Sequence, residues 1–170
     1  MEIPKRLWIG MVVLGACARL LPHPWNFTPL MAIALFAGSH ARKAGTAVLA
    51  TLFALALSDG VMGFYSGFWY VYAAALIPVL LGRLIHNHEG AGAIAAAAIA
   101  SSLSFFLITN FMVWATGPLY PRSMAGLSAC YLAGVPFYRN QVLGDVVYTV
   151  AIFGGYALIN RLCEPAQQAA

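Results

Sequence analysis

Apolar residues gather in six blocks, at about Leu7–Leu21, Phe27–Ala41, Ala44–Ser58, Gly67–Leu84, Ala91–Ala115 and Gln141–Asn160, separated by short polar or Gly/Pro-marked breaks. Blocks of this length and apolarity predict membrane-spanning helices, about six of them. Several are shorter than the ~20 residues that a perpendicular span needs, so they must borrow flanking residues or sit where the bilayer thins. A further apolar stretch, Met124–Gly134, is too short to span. It predicts an interfacial or re-entrant helix lying over the bundle as a lid. Its bounding turns are Gly117-Pro118-Leu119-Tyr120-Pro121 and Gly134-Val135-Pro136. Pro78 is expected to kink the fourth span, because it removes a backbone donor in mid-helix. Ala50-x-x-x-Ala54, Ala93-x-x-x-Ala97 and Ala96-x-x-x-Ala100 supply small-residue seams for close helix contact.

Composition supports the block reading. With 62% hydrophobic and 8% charged residues and a mean hydropathy of +0.81, the chain cannot offer water the surface of a soluble domain. The expected fold class is all-α: an integral membrane bundle of six transmembrane helices with an outer lid. Residues 1–170 then form a single transmembrane domain, with a short cytoplasmic tail at about 162–170.

The pI of 9.2 raises the question of a nucleic-acid partner, but the basic residues are scattered and sit beside helix ends. Topology accounts for them better. Lys5, Arg6, Arg42, Lys43, Arg83 and Arg161 fall on one side, and Arg19, Arg122 and Arg139 on the other. The positive-inside bias then places both termini, Met1 and Ala170, in the cytoplasm. Lys5 and Arg6 before an apolar run ending Leu14-Gly15-Ala16-Cys17-Ala18 also imitate a signal peptide, but a retained first helix is the simpler reading. Cys17, Cys130 and Cys163 fall in different regions and make no disulfide framework. No Walker-type phosphate loop, zinc-protease helix or nucleophile elbow occurs, so energy from ATP would have to come from a partner.

Polar and aromatic residues collect toward the outer helix ends. The fourth span offers Tyr65, Trp69 and Tyr72; the fifth Ser102, Phe106, Asn110 and Trp114; the sixth Gln141, Asp145 and Tyr148. An interfacial aromatic belt explains Trp8, Tyr65 and Trp69 at least as well as a site does. It explains Asn110, Gln141 and Asp145 poorly, since such groups are costly against lipid and turn into a bundle or wet cavity. Asp59 and Asp145 lie near the ends of apolar runs on the same side as Arg19, Arg122 and Arg139. Structural salt bridges are as well supported there as an arginine gripping an anionic substrate group. His23 reads as a solvated loop histidine, as do His86 and His88 in Ile85-His86-Asn87-His88-Glu89. Cys130 reads as a small apolar packing residue, with a soft ligand to a metal-bearing substrate as the alternative.

At these positions the chain resembles a family of small bacterial membrane proteins related to the substrate-binding S components of energy-coupling-factor vitamin transporters. The resemblance runs from Arg19 to Leu158. It rests on Arg19-Leu20-Leu21-Pro22-His23-Pro24 with Asn26-Phe27-Thr28-Pro29, then Ser58-Asp59, Thr109-Asn110-Phe111, Tyr120-Pro121 and Gly126-Leu127 with Ala129-Cys130-Tyr131. Pro136-Phe137 and Arg139-Asn140 leading into Gly144-Asp145 complete it. The link to S components themselves rests on size, six helices, inside termini and an outward-facing loop lid. The resemblance implies a bundle that captures a micronutrient in its outer half, closed by the first loop and the long loop before the last helix. It acts alone or with an energy-coupling module of a transmembrane subunit and ATPases. S components often meet that subunit through an A-x-x-x-A seam on the first helix, where this chain has Gly10, Gly15, Ala16 and Ala18.

The functional expectation is uptake of a small-molecule, vitamin-like substrate, a cobalamin-like one included, with no catalytic residue, cofactor or metal. Expected substrate contacts are Asn26, Trp69, Tyr72, Asn110, Trp114, Tyr131, Arg139, Asn140 and Asp145. Aromatics favour a ring face and arginines an acidic group. Two alternatives are a membrane enzyme handling a quinone or lipid through Asp59, Asp145 or Cys130, and a structural subunit packed through its alanine seams.

Overall fold

A computed structural model describes residues 5–86 and 88–168, with side chains over 6–86 and 88–162. Met1, Asn87 and Ala170, and the side chains of Lys5 and Cys163, lie outside the described residues. The fold is all-helical: α1 (Lys5–Leu20), α2 (Leu30–His40), α3 (Ala44–Met62), α4 (Phe68–Ala74), α5 (Leu76–Ile85), α6 (Ala91–Thr116) and α7 (Met124–Gln168). α4 and α5 form one bent rod. It breaks at Ala75, three residues before Pro78, where the missing N–H and the bulk of the ring disrupt the preceding turn. The expected kink is therefore present.

Among the described residues four rods are long and apolar enough to cross a membrane: Ala44–Met62, Phe68–Ile85, Ala91–Thr116 and Met124–Leu162. Their outward faces are apolar, with Leu49, Phe53, Leu80, Leu84, Ile99 and Val150 each more than half exposed. Polar groups turn inward: Ser39, Thr51, Ser58, Asp59, Ser101, Ser102, Gln141, Asp145 and Thr149 are all buried. Water would invert that distribution, whereas a bilayer favours it.

α1 and α2, with 16 and 11 residues, are shorter than the ~20 residues of a perpendicular span. α2 is the centre of the molecule, with Leu30 through Ser39 all buried. It rises only ~17 Å, about half of a ~30 Å hydrocarbon core. α2 is all apolar or small because neighbours surround it: α5, α3, α7 and α6 all pack on it. Phe36 and Ile33 anchor one cluster with Met11, Ala97 and Phe153, while Leu30 and Met31 meet Ala54, Leu55 and Ala75.

The tightest helix contact is backbone to backbone. A Cβ on Gly38 of α2 would lie 2.1 Å from the Val79 carbonyl oxygen of α5, and one on Gly82 would lie 2.1 Å from that of Leu35. Between lipid-solvated helices such close approach supplies the dispersion contact that apolar burial cannot. Of the alanine seams expected from sequence, Ala54 and Ala97 are buried, but Ala96 is exposed.

The predicted lid is corrected by α7, a single 45-residue helix that includes both Met124–Gly134 and the last span. Its first turns run antiparallel along the end of α6: the Tyr131 hydroxyl donates to the Leu107 carbonyl at 2.8 Å, and the Cys130 thiol to that of Asn110 at 3.3 Å. Stopping at Gly134 would free the last ~4 carbonyls of a helix, whereas continuing through Pro136 forfeits one bond. In an apolar surrounding continuation costs less. The predicted tail at 162–170 is likewise helical as far as Gln168.

Candidate functional site

α2 begins halfway along its neighbours, so the bundle lacks a central helix toward the end that carries Arg19. α5 packs along α2, whereas α4 packs on α6 beside the gap. A half-open cavity of about 560 Å³ fills that space. Leu30 and Met31 at the start of α2 form its floor, and Arg19, Leu55, Tyr70, Phe105, Thr109 and Asp145 stand among its walls. His23, Asn26, Thr28, Met62 and Tyr65 border it from the loops and helix ends. An annex of about 170 Å³ shares Asn26, Thr109, Val113 and Gln141 with the main cavity and adds Asn110.

Local sequence explains how these side chains are presented. Pro24-Trp25-Asn26-Phe27 is a β-turn closed by Phe27 N–H donating to the Pro24 carbonyl at 2.9 Å. Asn26 takes φ 63°, a left-handed conformation that asparagine tolerates better than most residues. Gly67 has φ 90° and lies against the Tyr70 ring, 2.4 Å from where a Cβ would be. Gly67→Ala should therefore strain the backbone and push Tyr70 off the cavity wall. A loss of ~1–3 kcal/mol is expected, read as a lower melting temperature in detergent; a melt matching wild type would remove this role.

Behind one wall lies a buried ionic network. Arg19 pairs with Asp59 at 2.8 Å and donates to the Ser58 hydroxyl at 2.6 Å, and the Tyr72 hydroxyl donates to the other Asp59 oxygen at 2.8 Å. Asp59 is fully buried and Arg19 nearly so. The structural salt-bridge reading of these charges is thus realised for Arg19 and Asp59. The Tyr65 phenol borders the cavity, where partial burial and then the Asp59 charge push its pKa above the ordinary range.

On the opposite wall Ser102 of α6 lies 2.6 Å from an Asp145 oxygen of α7, and the Gln141 amide donates to the Ser102 carbonyl at 3.1 Å. Gln141 and Asp145, one turn apart, do form a stripe facing the cavity.

Of the nine expected contacts, Asn26 and Asp145 line the main cavity and Asn110 lines the annex, its amide donating to the Phe106 carbonyl. Tyr72 stands behind the wall on Asp59. The other five lie off both the cavity and its annex. Trp69 is 55% exposed and packs edge-on against Tyr70. The Trp114 indole donates to the Pro121 carbonyl, and Tyr131 is tied to Leu107. Arg139 is exposed and Asn140 half-buried, and neither borders the cavity.

The displacement on α6 has a geometric cause. The conspicuous stripe Phe106, Asn110, Trp114 predicted the site, but Phe106 packs against Tyr138 of α7 at 4.6 Å. The cavity face is one residue back, at Phe105, Thr109 and Val113, ~100° around the helix. Thr109, Tyr70, Thr28 and Gln141 were absent from the expected contacts; only the polarity of Gln141 one turn before Asp145 signalled its role.

Among the described residues no group of three or more His, Cys, Asp or Glu is placed to hold a metal ion. At the opposite end His86 Nδ1 donates to the Ser39 carbonyl, and His40 contacts Glu89 at 3.2 Å, so His86 is engaged rather than simply solvated.

No curated protein and no solved structure matches this chain. Residues 3–167 match the model of a family of unknown function, DUF6580, and the chain belongs to that family.

Proposed function

We propose that the protein is a membrane-embedded substrate-binding component for uptake of a small, vitamin-like molecule, which it captures in the cavity over α2. The carrying observation is the half-length central helix: it leaves about 560 Å³ walled by both apolar and hydrogen-bonding side chains inside an otherwise lipid-adapted bundle. That volume suits a drug-sized molecule. The S-component resemblance supports the same role, with the cavity opening away from the cytoplasm and both termini inside. His23 and Asn26 from the first loop and Tyr65 from the second border the mouth, which makes those loops the closing elements in place of the Met124–Gly134 segment. It works alone or with a shared energising module, and reconstitution with and without that module distinguishes the two.

The test is mass spectrometry of small molecules released from protein purified out of native membranes in mild detergent. Wild type is expected to release a drug-sized molecule, Thr109→Trp to lose it by filling the cavity, and His88→Ala at the opposite end to keep it. A species retained equally by Thr109→Trp would place the binding elsewhere and remove the main support for this function.

A further inference from the structure

The charges around the cavity do not balance. Arg19 is committed to Asp59, Ser58 and the Leu55 carbonyl, so it presents no free positive charge to a ligand. Arg122 donates to the Gly117 carbonyl beside Trp114, and Arg139 stands outside the cavity. His23 is held at the mouth by the Leu21 carbonyl at 2.5 Å. The start of α2 adds about half a positive charge to the floor. Against these stands Asp145, 98% buried and on the cavity wall, with no lysine, arginine or histidine paired to it among the described residues.

The hydrogen-bond partners of Asp145, the Ser102 hydroxyl and the Gln141 amide, are both neutral. Ser102 has one hydroxyl proton and two acceptors in reach, the Ala98 carbonyl at 3.1 Å and Asp145 at 2.6 Å. The shorter contact has the length of a hydroxyl donating to a carboxylate. Neutral groups alone are slender support for a buried anion, which elsewhere in proteins is paired with a cation or lies against a metal.

We propose that the cavity receives a small organic cation, an ammonium or amidinium group on an apolar or aromatic body, whose N–H groups pair with the Asp145 carboxylate. Tyr65, Tyr70 and Phe105 supply ring faces along the same cavity, which attract cations and the flat body that carries them. The arginines singled out by sequence pointed to an acidic ligand; their actual engagement reverses the sign. This inference rests on the reading of the cavity as a ligand site.

The test uses purified full-length protein in detergent and matched probes: benzamidine and benzylamine as cations, benzamide as a neutral analogue, benzoate as an anion. Binding is followed by calorimetry and by the rise in melting temperature. The two cations are expected to bind and stabilise, and benzoate to do neither. Asp145→Asn should weaken benzamidine binding by roughly ten- to a hundredfold, with His88→Ala unchanged. The wild-type comparison is decisive even if Asp145→Asn does not fold. Preferential binding of benzoate or benzamide that Thr109→Trp blocks would overturn the cationic assignment and leave the cavity as a ligand site. No binding by any probe, together with unaltered co-purifying molecules in Thr109→Trp, would overturn both.

Discussion

Gly82→Ala is expected to prevent stable folding. The added methyl would sit 2.1 Å from the Leu35 carbonyl oxygen, 2.9 Å from the Ser39 nitrogen and 3.0 Å from the Gly38 Cα, all of them backbone. A flexible side chain could rotate away from such a clash, but two helix backbones must separate. Separation is costly here because α2 is the element on which α5, α3, α6 and α7 all pack. Overpacking a well-filled core costs ~1–3 kcal/mol, and a collision with fixed backbone belongs at or beyond the upper end of that range. Gly38→Ala should behave alike, since its methyl meets the Val79 carbonyl from the other side of the same contact. Gly45→Ala is the matched control: nothing lies within 4 Å of its Cβ position, and the residue is exposed in the first turn of α3. Yield and monodispersity on size exclusion in detergent, followed by thermal melting, measure the difference. If Gly82→Ala melts with Gly45→Ala and wild type, the close α2–α5 approach does not hold the bundle together.

How far the chain could be read without its structure depends on the kind of information each residue carries. Apolar blocks made the helices legible because length and apolarity are local properties, and Pro78 located the break between α4 and α5 for the same reason. The role of α2 was not legible. An apolar block of this length looks the same whether lipid or protein surrounds it, so the central position of Leu30–His40 became visible only once its neighbours did. Gly134-Val135-Pro136 reads as a turn on propensities measured in water, and the apolar surrounding reverses that preference, so a predicted lid became the first turns of α7.

The site divides along similar lines. Asp145 and Gln141 were legible as groups too costly to face lipid, and that argument concerns side-chain chemistry alone. Trp69, Trp114 and Tyr131 were drawn in by ring chemistry that serves an interfacial belt or a helix seam equally well. The face of α6 that lines the cavity could not be chosen from periodicity, because two adjacent stripes both carry aromatic and polar residues. Phe106 and Asn110 are the more conspicuous pair, and Phe105 and Thr109 are the ones the cavity uses.

Removing either partner of the Arg19–Asp59 pair is expected to be far more damaging than removing both. In Arg19→Met the Asp59 carboxyl keeps only the Tyr72 hydroxyl, at a position with no exposure to solvent. In Asp59→Leu the guanidinium keeps the Ser58 hydroxyl and the Leu55 carbonyl but loses its counter-charge. Breaking a buried pair in this way costs about 3–5 kcal/mol, mostly through the charge left behind, whereas replacing both members with apolar groups is commonly close to neutral. Arg19→Met/Asp59→Leu should therefore melt much nearer to wild type than either single variant does. The double-mutant cycle isolates the coupling, since any general damage from the substitutions appears in the single variants too. Destabilisations that simply add in the double variant would show that the two side chains act independently, against the 2.8 Å contact. The same double variant also separates structure from recognition. Arg19 lines the cavity while its charge is spent on Asp59, so a folded double variant that still binds benzamidine in preference to benzoate would confine the pair to holding α1 against α3 and leave Asp145 as the charge the ligand reads.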